Sequence, residues 1–313
     1  MKLTYAPAVA IPRLSVFPKC WFDELVAGER DYVAWIRDAA ALGGEGLEHY
    51  DGFMHGEAGI AAAITAARES GQQASMLCFS PDFTHPDPAE RARQVARQKG
   101  AVDLAVRLGT RYCRTLSGQR RPEVGRDQGI AWTIECIERS LEYAESRDVV
   151  LCMENHYKDS TWRYPEFAQD EDVYLEIIGR IASPSFGVQY DPSNAVVGGY
   201  DPIAFLDKVL PRVVTMHASD RSLAKGATLD DLKESDGSLG YSTKLKHGET
   251  GKGLIDYDAI FSRLAAAGFA GWISVEDGMN GLDEIARSVE FLKAKRTQYY
   301  SSPAPPRDSR RAP

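Results

Sequence analysis

Short apolar runs alternate along the chain with longer segments in which apolar residues recur every three or four positions. The runs Arg13–Phe17, Gly46–Tyr50, Ala74–Phe79, Arg111–Leu116, Val149–Glu154, Phe186–Asp191, Arg212–His217 and Gly271–Glu276 predict eight strands. Between them, helical periodicity predicts helices over Asp31–Leu42, Gly59–Ser70, Ala89–Leu108, Ala131–Ser146, Asp172–Arg180, Pro202–Leu210, Tyr257–Ala267 and Asp283–Lys295. In the seventh, Tyr257, Ile260, Phe261, Leu264 and Ala267 share one face; the sixth opens on an Asp201-Pro202 cap and first turn. Eight strand–helix units predict one (β/α)8 barrel over residues 1–300. A doubly wound open sheet competes with it, but would normally carry a glycine-rich phosphate loop after the first strand, and none follows Phe17.

The last four predicted strands end on residues able to ligate a metal: Glu154 in VVLCMENH, Asp191 in FGVQYDPSN, His217 in RVVTMHASD and Glu276 in GWISVEDG. In a closed parallel barrel the C-terminal strand ends converge on one rim, so these side chains would meet around one cation. Two glutamates, an aspartate and an imidazole suit a divalent ion with positions left open for substrate, Mn²⁺ first and Mg²⁺ or Co²⁺ after it. A closed structural zinc site would call for thiolates instead. Any one of the four alone reads equally well as the N-cap of the next helix, Asp191 before Pro192 most of all. Four in succession do not.

Composition narrows the partners. The 313 residues are 43% hydrophobic and 26% charged, enough for one large core, and carry a formal net charge of −8. No Lys/Arg run stands inside the predicted barrel, so no nucleic-acid surface is expected; a small-molecule partner is. Cys20, Cys78, Cys113, Cys136 and Cys152 are odd in number and mostly inside apolar runs, which reads as reduced thiols in a cytoplasmic protein. The N-terminus lacks a long apolar segment before its prolines, and no apolar stretch approaches a membrane span, so neither export nor a membrane anchor is expected.

Two connections are longer than their job requires. Ala218 to Ile255 separates the seventh strand from its helix where a few residues would suffice, which predicts a lid or substrate wall. Within it, Thr228 and Asp231 predict a capped short helix, and Gly248, Gly251 and Gly253 a tight turn after His247. The segment Tyr157–Gln169, with Trp162, Tyr164 and Phe167, is a second candidate wall whose aromatics would stack on substrate or pack the rim. The tail Ser301–Pro313 is Pro/Ser/Arg-rich without apolar periodicity and is expected to be disordered.

The series Glu154, Asp191, His217, Glu276, together with GKGLIDYDAIFSRLAAAGFAGWISVED, resembles the sugar phosphate isomerase/epimerase superfamily of xylose-isomerase-like barrels. Its members include ketose 3-epimerases, inosose dehydratases, hydroxypyruvate isomerases, 3-keto-glycoside deglycosidases and endonuclease-IV-type repair enzymes. The resemblance implies a divalent ion on the four residues, a carbohydrate substrate, and proton abstraction beside a carbonyl with Glu154 and Glu276 as acid and base. His156, two residues past Glu154, is a further acid/base candidate. Glu48, Asn194, Arg221, His247 and Trp162 are candidate substrate contacts, and Lys246 is a second candidate with Arg221 for polarising an oxygen or holding an anion. Epimerases of this kind often carry a histidine three residues after the strand-six aspartate; here that position is Asn194, which can hydrogen-bond but not transfer a proton. Strand four ends in Thr115 and Ser117 in place of further ligand histidines, which argues against DNA cleavage. The leading expectation is a metal-dependent isomerase or epimerase. The alternative is a lyase or dehydratase using the same first step, ahead of a nuclease or a non-catalytic sugar binder. A homo-oligomer, dimer or tetramer, is expected, with a partner subunit possible for a deglycosidase.

Overall fold

The computed structural model describes residues 10–229, 231 and 242–301. Among them lie ten strands: β1 (Arg13–Val16), β2 (Gly46–Tyr50), β3 (Gln73–Cys78), β4 (Tyr112–Thr115), β5 (Val150–Glu154), β6 (Phe186–Tyr190), β7 (Val213–Ala218), β8 (Arg221–Leu223), β9 (Leu245–His247) and β10 (Trp272–Val275). The α-helices are α1 (Phe22–Ala27), α2 (Tyr32–Ala39), α3 (Gly56–Glu69), α4 (Pro88–Leu108), α5 (Arg126–Glu145), α6 (Glu171–Arg180), α7 (Pro192–Val197), α8 (Pro202–Val209), α9 (Tyr257–Ala267) and α10 (Leu282–Tyr300). Eight strands close a parallel barrel in the order β1-β10-β7-β6-β5-β4-β3-β2, while β8 and β9 pair antiparallel beside it. The predicted barrel is therefore the observed one. All eight predicted strands are present, with each end within one residue of its predicted position.

Local chemistry fixes the helix ends. Asp31, Asp87, Asp201 and Asp256 each accept a hydrogen bond from a first-turn backbone N–H, and Asp87 and Asp201 are followed by proline at the first helical position. Helix α9 stops at Gly268, whose φ of 72° suits a residue without Cβ. Two helices run past their predicted limits for reasons that periodicity does not carry. Helix α5 begins at Arg126, which is exposed and holds Asp172 and Glu176 of α6; Gly129, a helix-breaking signal in the sequence, makes room for the Phe167 ring. Helix α10 continues to Tyr300, tied to α9 by Lys295 and Tyr299, both bonded to Asp258. The short helices α1 and α7 and the β8–β9 hairpin are additions to the predicted pattern.

The core lies inside the barrel and between the barrel and its helices, with Leu14, Leu47, Leu77, Leu151, Val188 and Ile273 fully buried. Register shifts interrupt the ladders between Leu47 and Glu48 in β2 and between Val188 and Gln189 in β6. Such irregularities re-aim side chains next to functional sites. Both Glu48 and Gln189 turn to the same histidine, His217.

The long connection after β7 folds back on itself. Arg221 pairs with His247 across β8 and β9, and the Asp220 carboxylate accepts N–H bonds from Arg221, Gly251, Gly253 and Ile255. That is the backbone-exposing turn expected from the glycine spacing. A Cβ on Gly253 would lie 2.2 Å from the Arg221 carbonyl oxygen, so only glycine closes this loop. Thr228 donates from its N–H to the Asp231 carboxylate, one half of the predicted cap, and its hydroxyl donates to the same carboxylate. Residue 230, residues 232–241 and the predicted tail after Ser301 lie outside the described residues.

Candidate metal centre

The ends of β5, β6, β7 and β10 bring Glu154, Asp191, His217 and Glu276 together, with one ligand atom from each lying within 4.8 Å of all the others. All four are buried. His217 aims Nδ1 at the carboxylates: Glu154 Oε1 at 3.2 Å, Glu276 Oε2 at 3.5 Å and Asp191 Oδ2 at 3.6 Å. Asp191 caps α7 and still has one oxygen turned to the cluster. Its Oδ1 accepts from the Asn194 N–H of α7 at 2.9 Å and from the Ser219 hydroxyl at 2.6 Å, while Oδ2 faces the cluster with no hydrogen bond of ordinary length. A buried carboxylate oxygen without a donor, amid two more carboxylates and an imidazole, fits a cation. The donor set, oxygen-rich with one nitrogen, fits a hard-to-borderline divalent ion.

The electrostatics follow from burying so much negative charge. Burial disfavours the imidazolium, yet the Glu48, Glu276 and Glu154 carboxylates hold the His217 pKa well above the ordinary histidine range. Burial also disfavours ionised Glu154, but His217, His156 and Arg114 outweigh it and hold that carboxyl near 2. Glu276 is driven in the same direction by Lys19 and His217. Asp191 lacks a comparable cation of its own, and burial raises its pKa.

The two glutamates have different surroundings. Glu154 is enclosed: Arg114 Nη1 donates to Oε2 at 2.7 Å, and Asn194 Nδ2 donates to Oε1 at 3.1 Å. Arg114 is itself buried in β4 and held by Ser80 Oγ and the Phe79 carbonyl. Glu276 instead borders a cavity of about 390 Å³ together with Phe17, Lys19, His156, Tyr157 and His247. Lys19 Nζ donates to Glu276 Oε1 at 2.9 Å, and this carboxylate keeps the ammonium pKa above the usual lysine range against the opposing effect of burial.

The candidates named from sequence divide by position. His156 lines the cavity, with Nδ1 lying 3.6 Å from the buried Glu166 carboxylate. His247 lines it too, with Nδ1 2.9 Å from Asp277 Oδ1; burial, then the Arg221 and Lys19 charges, lowers its pKa to about 2, so the ring is neutral. Burial raises Asp277 to about 7. Arg221 is buried, with its guanidinium 5.3 Å from the Tyr157 ring centre. Lys246, between two inward-facing neighbours on β9, is exposed and points away from the site. Four expected substrate contacts are absent from the cavity wall, Arg221 among them. Glu48 is buried behind His217, with its Oε1 2.6 Å from Nε2; Asn194 donates from Nδ2 to Glu154 while its buried Oδ1 has no hydrogen-bond partner; Trp162 packs edge-on against His156 at 6.4 Å. A larger groove of about 910 Å³ near Gln169, Gly199 and Leu254 shares no residue with the site.

Lys19, Arg114, Gln189, Glu166 and Asp277 were not singled out in the sequence. Arg114 gave a signal, a charge within the otherwise apolar strand RYCRTL. Asp277 gave another, as the second acid of VED, but its partner His247 lies 30 residues away. Lys19 gave none, since a lysine after Phe17-Pro18 looks like any surface charge until the barrel closes β1 against β10.

Comparison with known proteins agrees with this architecture. Residues 36–295 match the xylose isomerase-like TIM barrel family. A 3-oxo-isoapionate decarboxylase of Pectobacterium atrosepticum is 26% identical over 230 residues, 66% of this chain and 73% of that protein. An inosose dehydratase of Bacillus thuringiensis is 28% identical over 114 residues, and this match spans 34% of the chain and only 37% of the dehydratase. The crystal structure of a D-tagatose 3-epimerase-like protein superposes with a TM-score of 0.70 at 16% identity, covering 92% of this chain and 98% of that one, a likeness of fold. No described helix is long and apolar enough to cross a membrane. The chain belongs to the xylose isomerase-like TIM barrel family.

Proposed function

We propose that the protein is a divalent-metal-dependent enzyme that takes a proton from the carbon beside the carbonyl of a keto sugar or keto polyol, and that a group on the next carbon is then expelled. Glu154, Asp191, His217 and Glu276 hold the ion, Mn²⁺ by preference. When bound, it supplies Lewis-acid stabilisation of the oxygen on which negative charge develops. The observation that carries the reading is the asymmetry of the two glutamates. Epimerisation needs an acid and a base on opposite faces of the reacting carbon. Glu154 has both oxygens engaged by Arg114, Asn194 and His217 and does not border the cavity, whereas Glu276 does.

In this reading Glu276 is the base that accepts the carbon-bound proton, the C–H electron pair moving to the carbonyl oxygen. Return of that pair forms a double bond and breaks the bond to the leaving hydroxyl. His156, which borders the same cavity and has Glu166 Oε2 3.6 Å from its Nδ1, gives the departing oxygen its proton. The neutral His247 ring accepts a substrate hydrogen bond. The isomerase or epimerase outcome expected first from the sequence shares the proton abstraction and differs only in the second step, where a proton returns to carbon and no group leaves. The lyase outcome also agrees with the name of one relative matched in sequence, a dehydratase; the decarboxylase breaks a carbon–carbon bond instead.

The test is incubation with Mn²⁺ in D₂O with an inosose, D-tagatose and a 3-oxo sugar acid, followed by NMR and ultraviolet absorbance. The expected result is an absorbing unsaturated ketone from one of them with no epimer. An epimer carrying deuterium at one carbon, with no group expelled, would overturn the lyase outcome. Absence of both exchange and product from every compound would overturn the whole reading.

A further inference from the structure

Lys19 stands in the three-residue turn Lys19–Trp21 that follows β1, and β1 is paired with β10. The closure of the barrel thus brings its ammonium to Glu276, one residue past the end of β10. The contact is 2.9 Å, and the Lys19 side chain is only 17% exposed, yet Nζ borders the cavity and lies 5.8 Å from the Tyr157 ring centre. A lysine that only balanced the charge of a buried glutamate would not need to stand in the cavity wall.

Resting on the function proposed above, we infer that Lys19 is a catalytic residue that binds the substrate oxyanion, and that its ion pair with Glu276 is the state in which it waits. The two events at Glu276 support this. When its carboxylate accepts the carbon-bound proton it becomes neutral, and Lys19 loses its anion in a largely enclosed space. The charge that left the carboxylate has moved to the substrate oxygen within the same cavity. The other acids bordering the cavity do not compete: Asp159 is engaged by the Ser80 hydroxyl at 2.6 Å and by the Thr161 N–H and hydroxyl at 3.0 and 2.8 Å, and Asp23 is exposed. A fixed cation placed where charge develops contributes without reorganising at the moment of reaction. Charge is conserved throughout: one proton passes to Glu276, one negative charge appears on the substrate, and the ammonium changes partner without giving up a proton.

Oxalate, a planar dianion with two adjacent oxygens, probes this directly. Its affinity for the Mn²⁺-loaded protein is measured by calorimetry for the parent, Lys19→Met, Lys19→Gln and Lys19→Arg, with Mn²⁺ content measured in each. The neutral variants should lose about tenfold to a hundredfold in oxalate affinity, the range for one charge-assisted hydrogen bond, and keep their Mn²⁺. Lys19→Arg should retain most of it. Either neutral variant binding oxalate as tightly as the parent would overturn the assignment, as would a parent that does not bind oxalate. Should Lys19→Met fail to fold, Lys19→Gln, closer in shape and still able to hydrogen-bond Glu276, decides. A parent that binds oxalate through Lys19 but neither exchanges nor transforms any keto compound would locate the failure in the proposed reaction, not in the lysine.

Discussion

His217 Nε2 lies 2.6 Å from Glu48 Oε1, on the side of the ring opposite the nitrogen that faces the three carboxylates. Glu48 therefore fixes which imidazole nitrogen is offered to a cation: the Nε2 proton stays on the carboxylate, and the Nδ1 proton is the one that a bound cation would displace. Cys78 donates to the same Glu48 oxygen at 2.9 Å, which holds that carboxylate in place behind the ring. Glu48→Gln should weaken Mn²⁺ binding by about 10–100-fold, the usual cost of removing such a partner, with the circular dichroism unchanged. Mn²⁺ titration by calorimetry checks it. Equal affinity would leave Glu48 without a positioning role.

Glu276→Gln separates base from ligand. The amide keeps the size and one oxygen for the cluster but cannot accept a proton from carbon. Solvent deuterium exchange should fall by at least about a hundredfold, the lower end for loss of a general base, while bound Mn²⁺ falls much less. Asp191→Asn and His217→Ala should do the reverse and lose the metal first. Elemental analysis beside exchange rates distinguishes the two patterns.

Removing Arg114 should cost substantial stability. It is buried against Glu154 at 2.7 Å, and Arg114→Met leaves that carboxylate in the interior without its cation. Breaking a buried pair in this way costs about 3–5 kcal/mol. A bound cation compensates a bare carboxylate, so saturating Mn²⁺ should raise the urea midpoint of Arg114→Met more than that of the parent. An equal gain in both would show that Glu154 does not meet the metal.

The barrel was legible in the sequence because its signals are local: short apolar runs, helical periodicity, and Asp-Pro pairs such as Asp201-Pro202. The convergence of Glu154, Asp191, His217 and Glu276 came from the barrel's geometry, in which equivalent strand positions meet. The hidden part depends on pairings distant in sequence. Lys19 acquires its meaning from Glu276, 257 residues away, and Glu48 from His217, 169 away. Trp162 was misplaced for a related reason. Aromatic character marks a side chain as one that will be covered, without saying whether by substrate or, as here, by His156. The start of α5 was lost because Gly129 reads as a break unless Phe167 is known to fill the gap.

The hairpin offers the last prediction. Arg221 and His247 face each other across β8 and β9, and the hairpin is held to the barrel by the Asp220 carboxylate and the turn containing Gly253. A Cβ at residue 253 would also stand 2.3 Å from Asp220 Oδ1, so Gly253→Ala must push the turn away from the carboxylate that anchors it. Losing one or more of these N–H bonds to a buried acid costs about 1–3 kcal/mol. His217 and Glu276 sit at the ends of barrel strands, outside the hairpin, so Mn²⁺ content should stay normal. His247 forms part of the cavity wall and should move, which raises KM and lowers kcat/KM by about tenfold or more. Steady-state kinetics on the compound identified by the D₂O assay, with Mn²⁺ content measured in parallel, tests this. Loss of metal together with activity would mean that the hairpin holds up the rim itself, and unchanged kinetics would remove it from the substrate's surroundings.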